Sequence, residues 1–423
     1  MTESKPKGEQ KIFYGWWVVL FAAIQGMFGN GVISNGFSRF FEPIRNDLSI
    51  SYAQMSLVFS LQRAEGSVVG PLVGWLVDNY GARPMIFFGG LCAGLGLILV
   101  SFVQSYWQLI FLFVGLVSLG KSAGLGQTLM GLVNRWFVRK KAIAMSTLMT
   151  SFAAGGAIVV PVLNFGINAY GWRATVLVMG IFIMLLTIPV SLVVRSKPED
   201  MGLLPDGDLP EIDISEEGEV LKSQKRFEGF NVKEALSTVP FWLILIGLVC
   251  RTGATNAMLI HWFPIMNLYG IGSSMATMLW SLTMGIGVPL RFFMGYATDF
   301  FSPRIILCAG MLAGSAGVFI LWSSGNIAGA IVFSLCIALI EGITSTNWLM
   351  LANYYGQARF ATLMGIMSVF HNLFMFVTPL YAGWLRDETG SYSISLVTFG
   401  MIFALGAISF ALARKPVHPL EAN

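Results

Sequence analysis

The feature that most constrains this chain is its division into long apolar runs, six on each side of a short acidic segment. Each run is close to the roughly 20 residues that a helix needs to cross the hydrocarbon core of a bilayer. Of the 423 residues, 55% are hydrophobic and 11% are charged, and the mean hydropathy is +0.71. Soluble domains lie well outside these values. The chain is therefore predicted to be an all-α membrane protein with twelve transmembrane helices.

The predicted helices form two bundles, 14–195 and 237–413, between a tail at 1–13, a linker at 196–236 and a second tail at 414–423. The linker is interrupted by Pro198, Pro205 and Pro210 and has too few apolar residues to bury a core. The first tail has no apolar region that would mark a cleaved signal peptide. The spans, numbered 1 to 12 from here on, are 14–38, 52–77, 84–103, 107–134, 142–168, 173–195, 238–263, 274–297, 303–323, 326–351, 360–384 and 393–413.

Positive charge is concentrated in the loops on one side of the predicted bundles, the side of both tails and the linker. Because such loops stay on the cytoplasmic side of a membrane, we expect both termini to be cytoplasmic. The bias is incomplete, since the opposite loops also carry arginines. The residues on the predicted cytoplasmic side are Arg83, Arg135, Arg139, Lys140, Lys141, Arg304, Arg359, Arg414 and Lys415, against Arg39, Arg45, Arg173 and Arg386 on the other side.

The two halves of the chain repeat each other. A turn after span 2, Gly74-xxx-Asp78-xx-Gly81-x-Arg83, recurs 221 residues later after span 8 as Gly295-xxx-Asp299-xx-Ser302-x-Arg304. Duplicated bundles of this kind are typical of secondary transporters, whose binding site lies between the halves. A glycine permits close helix packing and a tight turn, and the aspartate can hold a cation or a helix N-terminus. The motif is therefore predicted to be a conformational latch, the alternative being a simple turn.

With this turn, its echo, the six-plus-six spans and the central linker, the chain resembles the major facilitator superfamily over essentially its whole length. The resemblance implies two pseudo-symmetric six-helix bundles that alternate in opening a central site to each side of the membrane.

Seven ionisable residues fall within the predicted spans, where a charge costs at least about 2.5–3.5 kcal/mol and suggests a function. Lys121 and Glu341 are 220 residues apart, so they occupy matching places in the two halves. A charge pair between them is one prediction, and the pairs Glu65–Lys121 and Arg251–Glu341 within each half are the alternative. A purely structural network of Arg63, Glu65 and Lys121 is a further alternative. The seven residues are Arg63, Glu65, Lys121, Arg251, Arg291, Glu341 and His371.

Four of these residues are cationic and two are anionic, which suits an anionic ligand. Arginine offers a planar fork that matches a carboxylate in a bidentate manner. On span 8, helical spacing places Trp280 and Met284 on the face of Arg291, and these two are either ligand contacts or ordinary core residues. On spans 1 and 11, Asn30, Asn35 and His371 are predicted to line the same cavity.

Within the superfamily, the chain resembles the monocarboxylate transporters and oxalate–formate exchangers. This likeness rests on Arg291-xxx-Gly295-xxx-Asp299 in span 8, on Asn134-Arg135-Trp136-Phe137 closing span 4, and on the turn after span 2 with Pro71 before it. It implies that Arg291 binds the substrate carboxylate. Three positions depart from the family: Gly287 replaces the usual span 8 aspartate, Asn35 replaces the span 1 lysine, and His371 replaces the second cation of the exchangers.

These observations predict a secondary active transporter of a small organic anion, a monocarboxylate such as lactate or pyruvate, coupled to protons or working by exchange. With no aspartate on span 8, the substrate is the expected anion at Arg291. The proton carriers expected instead are His371, Glu341 and Glu65, because histidine titrates near neutral pH and a desolvated carboxylate binds a proton more readily. The alternatives are a carrier for an aromatic acid, dicarboxylate, vitamin or drug, and a transporter-like receptor.

Other functions find no support in the sequence. The HExxH, GxSxG and Walker motifs are missing, so an enzyme is not expected. Cys92, Cys250, Cys308 and Cys336 lie in apolar runs without ligand spacing, so neither a metal nor a cofactor is predicted. The expected partners are the substrate, a proton if transport is proton-coupled, and the lipid bilayer, with no nucleic acid and a monomeric state. The expected location is a bacterial inner membrane.

Overall fold

The computed structural model describes residues 13–137, 140–204, 206, 230–298, 300–356 and 360–416, and the regular structure of this part of the chain is helical throughout. Ten stretches are long and apolar enough to cross a membrane. One of them reverses at Gly171, which has a left-handed φ of 82°, and so contains both span 5 and span 6. Span 2 has the required length but is more polar, because it carries Arg63 and Glu65. The twelve predicted crossings are therefore all present.

Most spans are uninterrupted helices. Spans 5 and 6 occupy Lys141–Val193, and two short helices, Pro198–Met201 and Val232–Ser237, lie in the predicted linker. The other continuous spans are Tyr52–Tyr80 (span 2), Ala82–Val100 (span 3), Ser273–Ala297 (span 8), Pro303–Ser324 (span 9), Phe360–Thr389 (span 11) and Ser393–Leu412 (span 12).

Spans 1, 4, 7 and 10 are each interrupted, which the sequence did not lead us to expect. Spans 1 and 4 contain a π-helical turn, and spans 7 and 10 break after His261 and Ile343, respectively. Such irregularities are frequent at functional sites. The segments are Tyr14–Gly29, Asn30–Asn35, Gly36–Phe40 and Phe41–Asp47 (span 1); Tyr106–Leu112, Phe113–Ser118, Leu119–Gly124 and Gln127–Trp136 (span 4); Val239–Ile260 and Trp262–Leu268 (span 7); and Ile327–Gly342 and Thr344–Tyr355 (span 10).

Local sequence sets the ends of span 2. Ser51 and Gln54 form a reciprocal capping box at its start. Gly81 ends the helix with a φ of 87°, a conformation that residues with a side chain rarely adopt. Span 2 therefore has a fixed length between two firm ends.

Glycines bring neighbouring helices of the first half into backbone contact. A Cβ atom on Gly155 of span 5 would lie 2.2 Å from the Met27 carbonyl oxygen of span 1. A Cβ atom on Gly120 of span 4 would lie 2.4 Å from the Ala93 nitrogen of span 3. Small residues allow such close packing where lipid gives no hydrophobic drive for association. Larger residues at these positions would push the helices apart.

Hydrogen bonds join the two halves at one end of the molecule, which we call the far end because it is remote from the start of span 1 at Tyr14. The opposite end is called the near end. The Asp387 carboxylate accepts hydrogen bonds from the Tyr52 and Ala53 nitrogens, at 2.9 and 2.8 Å. Asn267 donates to both carboxylate oxygens of Glu42, at 3.0 and 3.1 Å. Each of these contacts links the first half to the second, so the far end is sealed.

A buried histidine extends this seal toward the middle of the molecule. His261 Nε2 lies 3.0 Å from both Ser56 Oγ of span 2 and the Pro379 carbonyl oxygen of span 11. Because a carbonyl oxygen can only accept, Nε2 carries the proton, and Nδ1 accepts from the Tyr392 hydroxyl at 2.8 Å. His261 therefore ties span 7 to three other spans.

Candidate functional site

A cavity of about 540 Å³ lies between the halves at the level where spans 1 and 4 are interrupted. Spans 1, 2, 4 and 5 supply most of its wall, and Asn372 of span 11 comes from the second half. Its described lining is mostly polar and includes Gln62, Arg63, Lys121 and Gln127. The first half therefore presents two cations and several amides to the same space.

The carboxylate of the first half is bound by hydroxyl groups. Glu65 accepts a short hydrogen bond from Ser118 Oγ and a second one from Ser122 Oγ at 3.3 Å. Both serines lie on span 4, one turn apart. The predicted ion pair between Glu65 and Lys121 is not formed among the described residues: both hydroxyls bind Glu65 Oε2, and Glu65 Oε1 is buried without a hydrogen-bond partner in the described structure. The Lys121 ammonium has no hydrogen bond or ion pair with the residues that the structure describes.

The carboxylate of the second half is bound by an arginine. Arg291 Nη2 lies 2.9 Å from Glu341 Oε2, and Arg291 Nε donates to the Glu341 carbonyl oxygen at 3.3 Å. The two side chains are 35% and 20% exposed. In the described state, the anion at Arg291 is therefore a carboxylate of span 10, and the binding of substrate by Arg291 stays a prediction.

Gly287 lies beside the residue that pairs with Arg291. A Cβ atom on Gly287 would lie 3.6 Å from Glu341 Cβ, an ordinary contact distance, so position 287 has room for a side chain next to Glu341. The carboxylate at Arg291 thus comes from span 10 and not from span 8, which could not be seen without the packing of the two helices.

Arg251 is not the partner of Glu341, which corrects the alternative pairing. It is 3% exposed, and its Nη1 donates to Thr344 Oγ1 at 3.2 Å. Its Nε atom is buried and has no hydrogen-bond partner among the described atoms. The predicted pair of Lys121 with Glu341 is likewise replaced by the Arg291–Glu341 pair.

The charged residues of the second half are not among the described residues that line the cavity, but they interact with those of the first half. Arg63 interacts electrostatically with Glu341 of the opposite half. His371 is half-buried, adjoins the cavity-lining Asn372 and interacts with both Arg63 and Arg251. Six mid-span charges and one histidine therefore form a single cluster that spans both halves.

The predicted polar residues of span 1 lie in its π-helical turn. Asn30 lines the cavity, and its Nδ2 donates to the carbonyl oxygens of Gly26 and Leu125, at 3.1 and 3.3 Å. Asn35 Nδ2 lies 3.5 Å from the Phe152 carbonyl oxygen of span 5. Both side chains thus hold the interrupted helix in place, and Asn30 also faces the cavity.

The two apolar residues predicted beside Arg291 are buried. Trp280 is 2% exposed and stacks on Phe263 within the second half, with ring centroids 5.8 Å apart. Met284 is 7% exposed and packs across the two halves against Gly156 of span 5. Neither is among the described residues that line the cavity, so the ordinary packing role that the sequence left open describes their position.

Gln62, Gln127 and Asn372 line the cavity and were not predicted from the sequence, although four-residue spacing relates Gln62 to Gly66 and Gly70 on span 2.

The turn motif is described only in part. The surroundings of Gly74, the side chain of Asp78 and the whole of Asp299 lie outside the described part of the chain. Arg83 donates from Nε to the Ser191 carbonyl oxygen at 2.8 Å and from its backbone nitrogen to Ser196 Oγ at 3.1 Å. It therefore ties the turn after span 2 to the end of span 6. A Cβ atom on Gly295 would meet no described atom within 4 Å, and Arg304 lies at the start of span 9.

The chain has relatives among characterised transporters. Monocarboxylate transporter 2 of Mesocricetus auratus is 24% identical and is aligned over 97% of this chain and 86% of its own length. Monocarboxylate transporter 12 of Rattus norvegicus is 24% identical over 95% of this chain and 86% of its own. The chain thus resembles these proteins along nearly its whole length, at low identity.

A solved structure shows the same fold. The bacterial homolog to the human lysosomal transporter Spinster, in an inward-facing and unoccupied conformation, superimposes with a TM-score of 0.74 at 15% identity, covering 95% of this chain and 97% of that one. The sequence pattern of the Major Facilitator Superfamily matches residues 19–358. With twelve membrane-spanning helices in two halves around a polar cavity, the chain belongs to the Major Facilitator Superfamily and is a multi-pass membrane transporter, not an enzyme.

Proposed function

We propose that the chain is a secondary active carrier of a small organic anion, a monocarboxylate of the lactate or pyruvate type. The observation that carries this proposal is the positive excess between the halves, where four cations face two carboxylates. The relatives named as monocarboxylate transporters support the same substrate class. A cationic polar cavity attracts a small anion and repels the lipophilic cations that many exporters remove.

The sealed far end supports alternating access. We assign the near end to the cytoplasm because the positively charged loops lie there. With the far end closed by Asp387, Glu42 and His261, the structure then represents a state that opens toward the cytoplasm. The proposed location is a bacterial inner membrane.

The Arg291–Glu341 pair offers a route to proton coupling. In the described state, Glu341 occupies the arginine fork and competes with a substrate carboxylate. A proton on Glu341 removes that competition, so that Arg291 can bind the substrate. Proton and anion would then bind together and move together. His371 and Glu65 remain the other proposed proton carriers, and exchange of two anions needs no proton.

Counterflow in proteoliposomes tests the assignment. Vesicles loaded with unlabelled lactate should take up labelled lactate or pyruvate through the wild-type chain. Arg291→Lys should reduce this exchange about ten- to a hundredfold, because lysine cannot form the bidentate contact. Arg414→Lys, at an exposed position beyond span 12, is the matched control. Undiminished exchange by Arg291→Lys would contradict the role of Arg291.

A thermal-shift screen in detergent separates the other functions. Stabilisation by monocarboxylates supports the proposal, whereas stabilisation by lipophilic cations alone would indicate a drug carrier. Binding of an acid without counterflow would identify a transporter-like receptor.

A further inference from the structure

The first half presents a polar wall to the cavity from spans 2 and 4. Gln62, Gly66 and Gly70 follow each other at four-residue intervals, so they lie on one face of span 2. Lys121 and Gln127 face the same space from span 4. Because Gly66 has no side chain, a ligand can approach the helix beside Gln62.

Two donors on this wall have no acceptor. Gln62 is 8% exposed, and its Nε2 atom has no hydrogen-bond partner in the described structure. Such a buried unpaired donor is unfavourable, because it has lost its hydrogen bonds to water and gained no other partner. The Lys121 ammonium is likewise without an acceptor in the described ranges. The oxygen atoms of a ligand in the cavity would give each of these donors an acceptor.

The charged residues of this wall have a net charge of +1. Arg63 and Lys121 are positive, and Glu65, on the same two-helix surface, is negative. Because Ser118 and Ser122 hold the Glu65 carboxylate, it stays beside the cations without forming an ion pair with Lys121. A ligand with one negative charge therefore neutralises the wall, and a ligand with two overcompensates it, since Arg251, Arg291 and Glu341 of the second half are not among the described residues that line the cavity.

We propose that Gln62 and Lys121 form an anion-docking subsite, and that Glu65 limits its ligand to a single negative charge. The ligand class is a short hydroxy- or oxo-monocarboxylate. Asn30, Gln127 and Asn372 supply partners for a hydroxyl or oxo group. Apolar surface comes from Met130 and Phe152 among the described lining residues, too little for a long apolar tail. This inference rests on the proposed function and adds a first-half subsite opposite Arg291.

Ligand titration of the full chain in lipid nanodiscs, followed by thermal shift, tests the subsite. Lactate should bind more tightly than propionate, which has the same charge without the hydroxyl, by about two- to tenfold. Malate, with two carboxylates, should bind more weakly than lactate. Lys121→Gln should raise the dissociation constant for lactate about ten- to a hundredfold, since it removes a hydrogen bond to a charged group. Lys233→Gln, an exposed lysine on the helix before span 7, is the control.

A substitution of Glu65 tests whether this residue limits the charge of the ligand. Glu65→Gln should reverse the preference, so that malate binds more tightly than lactate, while the exposed Glu388→Gln should not. Lys121→Arg keeps the charge and should retain lactate binding, which excludes misfolding as the cause of a loss. Unchanged lactate binding by Lys121→Gln, or an unchanged order of ligands in Glu65→Gln, would overturn the inference. If wild type exchanges no organic anion, the proposed function fails; if wild type exchanges lactate and these variants bind like it, only the subsite fails.

Discussion

The two halves hold the same set of charges at mid-depth but connect them differently. Each half has two cations and one carboxylate: Arg63, Lys121 and Glu65 in the first, and Arg251, Arg291 and Glu341 in the second. In the second half, the carboxylate neutralises an arginine at 2.9 Å. In the first half, serine hydroxyls hold the carboxylate and Lys121 is left without an ion pair among the described residues.

This difference shows that two sets of the same charged groups, two cations and one carboxylate in each half, can differ in how readily their cations bind a ligand. A cation bound to its own carboxylate must first lose that partner, whereas Lys121 needs no such step. In the function that we propose, the first half captures the anion and the second half responds to a proton. A duplicated architecture can divide two tasks in this way because each half evolves its own contacts.

Moving the carboxylate of the second half from span 10 to span 8 should first abolish and then partly restore uptake driven by a proton gradient. Glu341→Gln should abolish accumulation of lactate driven by a pH gradient, a loss of more than about tenfold, because a neutral amide at 341 leaves Arg291 available at every pH and lactate binding no longer depends on a proton. Adding Gly287→Asp should restore part of the accumulation, since a Cβ atom at 287 fits 3.6 Å from Glu341 Cβ. Uptake into proteoliposomes with an inward proton gradient measures both. Full accumulation by the single variant would show that the pair does not couple transport to protons.

Hydrogen bonds between the halves close the far end in the described state. Weakening them should make the space between the halves accessible to reagents from the far side. Asp387→Asn keeps the shape of the side chain, but its amide nitrogen cannot accept one of the two hydrogen bonds from the Tyr52 and Ala53 nitrogens. In a chain whose 4 native cysteines are replaced by serine, labelling of Ser60→Cys from the far side should rise about fivefold, which corresponds to the loss of a hydrogen bond of about 1 kcal/mol. The neighbouring Glu388→Asn is the control. Equal labelling would mean that Asp387 does not hold the seal.

The smallest of these effects should be the difference in stability between a variant of each half. Arg291→Met leaves Glu341 without its partner and should destabilise the chain by about 1–2 kcal/mol, less than for a fully buried pair because both side chains are partly exposed. Lys121→Met removes a cation that has no ion pair among the described residues, and it should leave the melting temperature unchanged or raised. Thermal unfolding in detergent compares the two. A larger loss for Lys121→Met would reverse the interpretation of the two charge networks.

Hydropathy alone predicted the twelve spans, which depend on composition over about 20 residues that a single sequence records directly. The family was identified by resemblance, through the turn after span 2 and its repeat after span 8. The seven mid-span ionisable residues were also found from the sequence, since a charge in an apolar run is conspicuous.

The partners of those charges were not predictable. Whether Glu341 meets Arg291 or Arg251 depends on the rotation and depth of three helices, and a shift of one residue turns a side chain by about 100°. The hydroxyls that hold Glu65 and the π-helical turns that expose Asn30 leave no distinct sequence pattern. The face assigned to Trp280 and Met284 was consistent with helical spacing, but spacing on one helix does not indicate which neighbour covers that face.

The glycine at position 287 leads to an expectation about related sequences. Since one arginine fork accepts one side-chain carboxylate, positions 287 and 341 should vary together among related chains. Glycine or alanine at 287 should accompany an acidic residue at 341, and an aspartate at 287 should accompany an uncharged one. Ancestral sequences that hold both acids would mark the point at which the proton site moved from one helix to its neighbour.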